Sequence, residues 1–279
     1  MDDDEFRERY GPRAVVVGAS EGVGAAVAHA VARRGVNVVL LARREATLEE
    51  VAASVRAGAP GTGTRVLAVD LTASYAMDRI AAATADLEVG LVLYGARADP
   101  DYRPFLAQPI EPALALVERN CAMALRVLHH FAGPMVERGR GGLAVLSSGA
   151  GLTGGPNMVA YAASKAFDTV MVQSLWAELR GTGVDALAMV LGMTDTPALR
   201  RLMAARGALA GDDDPVPGAD TPDAVAEELL AHLADGPTWF MGEMLQAAAP
   251  ALGGMPRRDA VELMAQAGGL PGTDPEAAP

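Results

Sequence analysis

The chain has 279 residues, 51% of them hydrophobic and 21% charged, with a formal net charge of −12 and a pI near 4.8. That length and apolar content support a sizeable buried core and exclude a disordered chain, while the negative balance argues against nucleic acid or an anionic membrane as partner. A single cysteine, Cys121, excludes an intrachain disulfide and reads as a small buried apolar residue in a reducing compartment.

The opening MDDDEFRERYGP is charged and carries no apolar signal region. No stretch approaches the roughly 20 apolar residues of a membrane span. A soluble cytoplasmic protein is expected. Residues 13–24, RAVVVGASEGVG, pass from a β-branched run into glycines at 18, 22 and 24, and a helical pattern follows to Arg34-Gly35. Strand, glycine-rich turn and helix together let a backbone approach a phosphate, which then meets the free N–H groups of the helix start. The spacing alone also suits a tight structural turn.

The run Val36 to Leu41 is continuous and apolar, as in a parallel strand covered on both faces, and it ends in Ala42-Arg43-Arg44. In a dinucleotide-binding unit a carboxylate near this position would take the adenosine ribose. Here two arginines stand instead, and a planar guanidinium suits a 2′-phosphate. The reading favours NADP and leaves NAD allowed. An amphipathic helix over 45–57 leads to a third strand, Val66–Val69, closed by Asp70-Leu71. Asp70 either accepts from an adenine amino group or caps the next helix near Thr72 or Ser74. A fourth strand ends in Leu93-Tyr94-Gly95-Ala96, whose small residues suit a backbone lying against a ribose.

One long helix is expected over Pro112–Arg138, with Asn120 in its middle either tying a bent helix or joining a polar site. The apolar run Leu143–Leu146 reads as a strand ending at Ser148, and Tyr161 and Lys165, four apart, share one face of the helix that follows. A hydroxyl, a phenol and an ammonium placed in this way make a proton-handling unit. Val184–Leu191 is a sixth strand, followed by Gly192-Met193-Thr194-Asp195-Thr196-Pro197. Residues 197–220 then break the pattern, either as a substrate lid or as a surface excursion. Thr221 caps a helix expected to run to Gly236, and Thr238–Phe240 is a last strand. The alternation implies a doubly wound α/β sheet in one domain over 1–267, with a disordered tail over 268–279.

GASEGVG, Asp70-Leu71, Asn120, Ser148, YAASK and GMTDTP stand in the order and spacing of the short-chain dehydrogenase/reductase family, which the chain resembles from roughly Gly11 to Phe240. RYGPRAVVVGASEGVG with VVLLARR looks most like the branch of 17β-hydroxysteroid dehydrogenase and 3-ketoacyl reductase relatives. The resemblance implies a Rossmann-type sheet of about seven strands in the order 3-2-1-4-5-6-7. It implies that Tyr161 is the general acid/base and that Lys165 lowers the phenol's pKa and binds the nicotinamide ribose. Ser148 would hold the substrate oxygen, and Asn120 would anchor a water leading to Lys165. Cofactor contacts would come from Gly18, Ser20, Glu21, Gly22, Val23, Gly24, Arg43, Arg44, Asp70, Leu71 and Gly95, from Tyr161 and Lys165, and from Gly192, Thr194 and Thr196. No metal site is assigned.

Three positions depart from the family. Leu93-Tyr94-Gly95-Ala96 replaces its Asn-Asn-Ala-Gly, Leu191 replaces a Pro, and Glu21 stands where NADP-preferring members often carry a base. The expected function is NADP(H)-dependent interconversion of a ketone and a secondary alcohol. Met193, Leu199, Leu202 and Met203 suggest an apolar substrate: a steroid, a fatty-acyl ketone or a polyketide-like molecule. The rival is a catalytically silent, nucleotide-binding regulatory or scaffolding protein; epimerase or dehydratase chemistry on nucleotide sugars ranks last. By resemblance a homodimer or homotetramer is expected, paired through the helices over 112–138 and 158–179.

Overall fold

Short runs of Val, Leu and Ala, too apolar to show either face to water, build the centre of the molecule. The computed structural model describes residues 1–95 and 102–267. Its strands are β1 (Arg13–Val17), β2 (Asn37–Ala42), β3 (Thr64–Ala68), β4 (Leu91–Tyr94), β5 (Gly141–Ser148), β6 (Val184–Leu191) and β7 (Thr238–Phe240). They form one parallel sheet in the order β3-β2-β1-β4-β5-β6-β7, the order implied by the family resemblance. Alternate residues enter opposite layers: Val16, Leu40 and Leu93 pack on one face, and Val17, Leu41 and Tyr94 on the other.

Helices α2 (Gly22–Arg33) and α3 (Glu45–Gly58) cover the first face with α9 (Pro222–Ala231), and α4 (Ala76–Thr84), α6 (Met123–Arg138) and α7 (Val159–Leu179) cover the second. Strand order reverses between β1 and β4, so a crevice opens there at the carboxyl ends of the strands, where open sheets of this kind hold ligands.

Four details differ from the sequence expectation. The charged N-terminus forms α1 (Asp3–Tyr10), capped by Asp2 with a reciprocal bond from Glu5, and its Phe6 and Tyr10 are buried. The long helix expected over 112–138 is interrupted: α5 (Glu111–Val117) and α6 are joined by a π-helical turn over Glu118–Ala122. One extra residue in a turn re-aims the side chains there, and it buries Asn120. The helix capped by Thr221 stops at Ala231 rather than Gly236, and the segment after β6 is helical as α8 (Pro197–Ala205). Helices α10 (Gly242–Gly254) and α11 (Arg257–Ala267) then follow β7. Ala96 and the tail over 268–279 lie outside the described residues. Among the described residues no helix is long and apolar enough to cross a membrane, and no group of three or more metal-ligating side chains converges.

Candidate active site

At the carboxyl ends of the strands lies a cavity of about 1560 Å³, larger than an ordinary single-ligand pocket. One end is made by the turn between β1 and α2. Gly18 (φ +87°) and Gly22 (φ +59°) adopt backbone conformations that other residues rarely take. A Cβ on Gly18 would stand 2.1 Å from the Gly95 carbonyl oxygen, and one on Gly24 would stand 2.2 Å from that of Gly18. Only hydrogens fit, so the turn lies tight against β4 and leaves the cavity open above it. Glu21, the cap residue of α2, makes no side-chain bond to the helix start, whose first N–H groups are left to a ligand.

Gly18, Ser20, Glu21, Gly22, Val23 and Gly24 all line this end, with Arg43 and Arg44 after β2, Asp70 and Leu71 after β3, and Gly95 after β4. Gly192, Thr194 and Thr196, after β6, line the cavity too, with the Thr196 side chain packed against Gly22. The Thr194 hydroxyl is buried with no hydrogen-bond partner among the described residues, which suits a polar ligand here. Thr196 caps α8 by accepting from the Leu199 N–H at 3.2 Å. Open turn, helix start, exposed arginines and orphaned hydroxyl together fit a dinucleotide.

Of the alternatives weighed for Asp70, the contact with Thr72 is present. Its Oδ1 accepts from the N–H and the hydroxyl of Thr72, at 3.0 and 2.8 Å, which caps the following turn and holds the carboxyl below the usual range; the carboxylate still faces the cavity. Glu21 is engaged from α8: Nη2 of Arg201 donates to both its oxygens at 2.8 Å, and Arg44 lies 4.0 Å away. The acid standing where a base was expected is thus matched by two guanidinium groups.

Ser148, Tyr161 and Lys165 also line the cavity. Ser148 ends β5, and its Oγ accepts from the Ala150 N–H at 3.2 Å, so its proton is free for a ligand oxygen. Tyr161 and Lys165 share the inner face of α7, with Nζ 6.0 Å from the centre of the phenol ring. The ring of Tyr102 meets that of Tyr161 edge-on at 5.7 Å. Lys165 is buried, and its Nζ donates to the Leu146 carbonyl at 2.8 Å and to Asp168 Oδ2 at 3.0 Å. Burial raises the Asp168 carboxyl above the ordinary carboxylate value against the pull of Lys165.

Asn120 is the exception to this convergence. It lies behind the cavity, donating from Nδ2 to Ser164 Oγ at 3.0 Å, and Ser164 donates in turn to the Tyr161 carbonyl at 2.8 Å. Its Nδ2 ties the bent helix to α7, while its Oδ1 is buried without a hydrogen-bond partner among the described residues, so both of its readings stay open. Tyr94, at one of the positions that depart from the family, donates its buried phenol to the Arg119 carbonyl and so anchors β4 to the π-helical turn. Cys121 is half-buried rather than buried, and desolvation pushes its thiol up to about 11.

The family model for short chain dehydrogenases matches residues 12–207. The chain belongs to that family. Its relatives include a 7beta-hydroxysteroid dehydrogenase from Clostridium sardiniense, 32% identical over 241 residues, covering 86% of this chain and 88% of that protein. Another is a very-long-chain 3-oxoacyl-CoA reductase from Pyricularia oryzae (strain 70-15), 33% identical over 183 residues, covering 63% of this chain and 55% of that one. A solved structure from work on 7beta-hydroxysteroid dehydrogenase stereoselectivity superposes with a TM-score of 0.83 at 28% identity, covering 95% of this chain and 99% of the other. As a short-chain dehydrogenase/reductase, the chain is an NAD(P)-dependent oxidoreductase that interconverts a ketone and an alcohol.

Several lining residues escaped the sequence reading. Met244, Leu245, Ala248 and Leu252 of α10, with Leu263 and Met264 of α11, line the end of the cavity away from the glycine turn. The signal was present as apolar residues at positions 245, 248 and 252, a helical period, but nothing local says that this stripe faces the cleft. Of the four apolar residues read as substrate contacts, Met193, Leu199 and Met203 line the cavity, while Leu202 is not among its lining residues.

Proposed function

We propose that this short-chain dehydrogenase/reductase prefers NADP(H) and acts on a large apolar ketone or its secondary alcohol, of the steroid, fatty-acyl or polyketide-like kind. One observation carries the reading. Ser148, Tyr161 and Lys165 lie between a cavity end set with arginines and an end whose lining from α10, α11 and residues 208–217 is entirely uncharged. Bulk and neutrality at that end suit a polycyclic or long-chain substrate. Methionines 158, 193, 203, 244, 255 and 264 give it walls that adapt to shape. The hydroxysteroid and oxoacyl names of the relatives point the same way.

When bound, the nicotinamide supplies or accepts the hydride. The chain supplies the rest. The Ser148 hydroxyl donates to the carbonyl oxygen and orients it. The Tyr161 phenol gives that oxygen its proton in reduction and takes it back in oxidation. Lys165 places its ammonium beside Tyr161 and the ribose. The turn over 18–24 and the start of α2 hold the pyrophosphate, and Arg43 and Arg44 take the 2′-phosphate. Residues 197–220 serve as a lid. Its base is stapled where Arg200 grips both Asp195 oxygens at 2.6 Å and the Val216 N–H donates to Asp195 at 3.2 Å. All three proton-handling groups line the cavity, so nothing favours the silent scaffold.

The same family reading covers the surroundings of the fold. Residues 1–267 act as one domain, and the enzyme works in the cytoplasm as a homodimer or homotetramer. Exposed Leu114, Val117, Leu125 and Val170 on α5, α6 and α7 offer the pairing surface.

The cofactor preference is tested by titrating NADPH and NADH into wild type and Arg43→Ala. A lost guanidinium–phosphate contact is expected to raise the Kd for NADPH by roughly 10- to 100-fold while NADH changes by less than about twofold. Equal effects on both cofactors, or none, would remove the 2′-phosphate assignment. A panel of neutral ketones run with NADPH then tests the substrate class, and a preference for small or charged ketones would overturn it.

A further inference from the structure

Asp168 is an acid that the sequence reading did not single out. It stands on α7 seven residues after Tyr161 and three after Lys165, on the same helix face, and its relative exposure is 1%. Burying a carboxylate is expensive, and a buried ion pair at best breaks even against apolar residues of the same size. Stability alone gives no reason to keep the pair. The contacts give another.

An ammonium has three hydrogens. In Lys165 one goes to the Leu146 carbonyl at 2.8 Å and one to Asp168 Oδ2 at 3.0 Å, which leaves one for the cavity that Lys165 lines. The donors of the other polar groups nearby are engaged elsewhere, and of the acceptors the neutral Asn120 Oδ1 is buried without a hydrogen-bond partner among the described residues. Asn120 Nδ2 is given to Ser164, the Ser164 proton to the Tyr161 carbonyl, and the Tyr94 phenol to the Arg119 carbonyl. Asp168 is therefore the anionic group that fixes Lys165 from behind, and its second oxygen, Oδ1, is buried without a hydrogen-bond partner.

We propose that Asp168 is a positioning residue of the proton-handling unit, clamping the Lys165 ammonium so that its remaining hydrogen is presented to the cofactor ribose. The inference rests on Lys165 being the ribose contact. Asp168 touches neither substrate nor cofactor, and acts through Lys165.

The test is a double-mutant cycle on NADPH affinity, which needs no knowledge of the substrate. Wild type, Asp168→Asn, Lys165→Met and the double variant are compared as folded proteins by circular dichroism and NADPH fluorescence. Asp168→Asn is expected to raise the Kd for NADPH by roughly fivefold or more, but by less than about twofold in the Lys165→Met background. With a ketone substrate in hand, kcat should fall in the single variant with KM little changed. Equal weakening in both backgrounds would show Asp168 acting through packing and would overturn the proposal. So would an NADPH affinity unchanged by Asp168→Asn while Lys165→Met weakens it. If Lys165→Met itself binds NADPH normally, the ribose assignment fails and takes this inference with it, an outcome distinct from the other two. Should Asp168→Asn not fold, Asp168→Glu carries the test: it keeps the charge but displaces the clamp by one methylene. NADPH affinity within about twofold of wild type in that variant would overturn the proposal.

Discussion

Replacing Tyr161 by Phe is expected to lower kcat by about 10³-fold, with the Kd for NADPH changed by less than about threefold. The size follows from general acid/base catalysis, which contributes roughly 10²–10⁴ in rate, and from the position of this phenol in the cavity wall beside Ser148 and Lys165. Phe fills the same space and keeps the edge-on contact with the Tyr102 ring, so the variant removes a proton donor without opening a hole. Steady-state kinetics with NADPH and a ketone substrate, paired with a fluorescence titration of the cofactor, make the check. Turnover within about tenfold of wild type would remove Tyr161 from the proton-transfer role. A large loss of cofactor affinity instead would make it chiefly a binding residue.

The second large effect lies at the opposite end of the sheet. Tyr10→Ala is expected to cost about 3–5 kcal/mol of folding stability, the usual range for deleting a large buried aromatic side chain. At roughly 2–4 °C per kcal/mol for a chain of this size, the melting temperature should fall by roughly 6–20 °C. Tyr10 is fully buried at the end of α1. Its ring lies 5.0 Å from Phe6 and sits where a Cβ on Gly142 would come within 2.9 Å, so β5 is glycine at that point to receive it. Its hydroxyl donates to Asp185 Oδ2 at 2.7 Å, and Arg9 holds the other oxygen of that carboxylate at 2.7 Å. Truncation opens a cavity and takes a partner from Asp185. Denaturant unfolding of the variant measures the loss, and a change below about 1 kcal/mol would show that α1 is not part of the cooperative core. Cofactor affinity of the folded variant should match wild type, because the glycine turn lies at the other ends of the strands.

These two residues also mark how far the sequence could be read. Tyr161 and Lys165 were legible because four residues on one helix place two side chains together, whatever surrounds the helix. The same local logic exposed the parallel strands as continuous apolar runs, the glycine turn by its spacing, and Thr221 as an N-cap, which accepts from the Ala224 N–H at 3.2 Å. The family order of the motifs supplied the strand order. Tyr10 was hidden, since eight mostly charged residues look like a solvated terminus until Asp185, 175 positions away, is found to receive the phenol.

What the sequence determined by itself was what short-range periodicity and backbone permission set: the strands, the helices α2, α3 and α7, and the one face of α7 on which Tyr161 and Lys165 stand together. What only the tertiary structure decided was which distant groups meet. Arg201 reaches Glu21 from α8, the π-helical turn carries Asn120 to Ser164, α10 and α11 bring their apolar side chains into the cavity lining, and Asp168 turns inward onto Lys165 rather than outward to water. A carboxylate on a helix is ordinarily a solvated charge. Asp168 becomes a buried partner because α7 packs on the sheet with that face inward, leaving Lys165 as the counter-charge within reach.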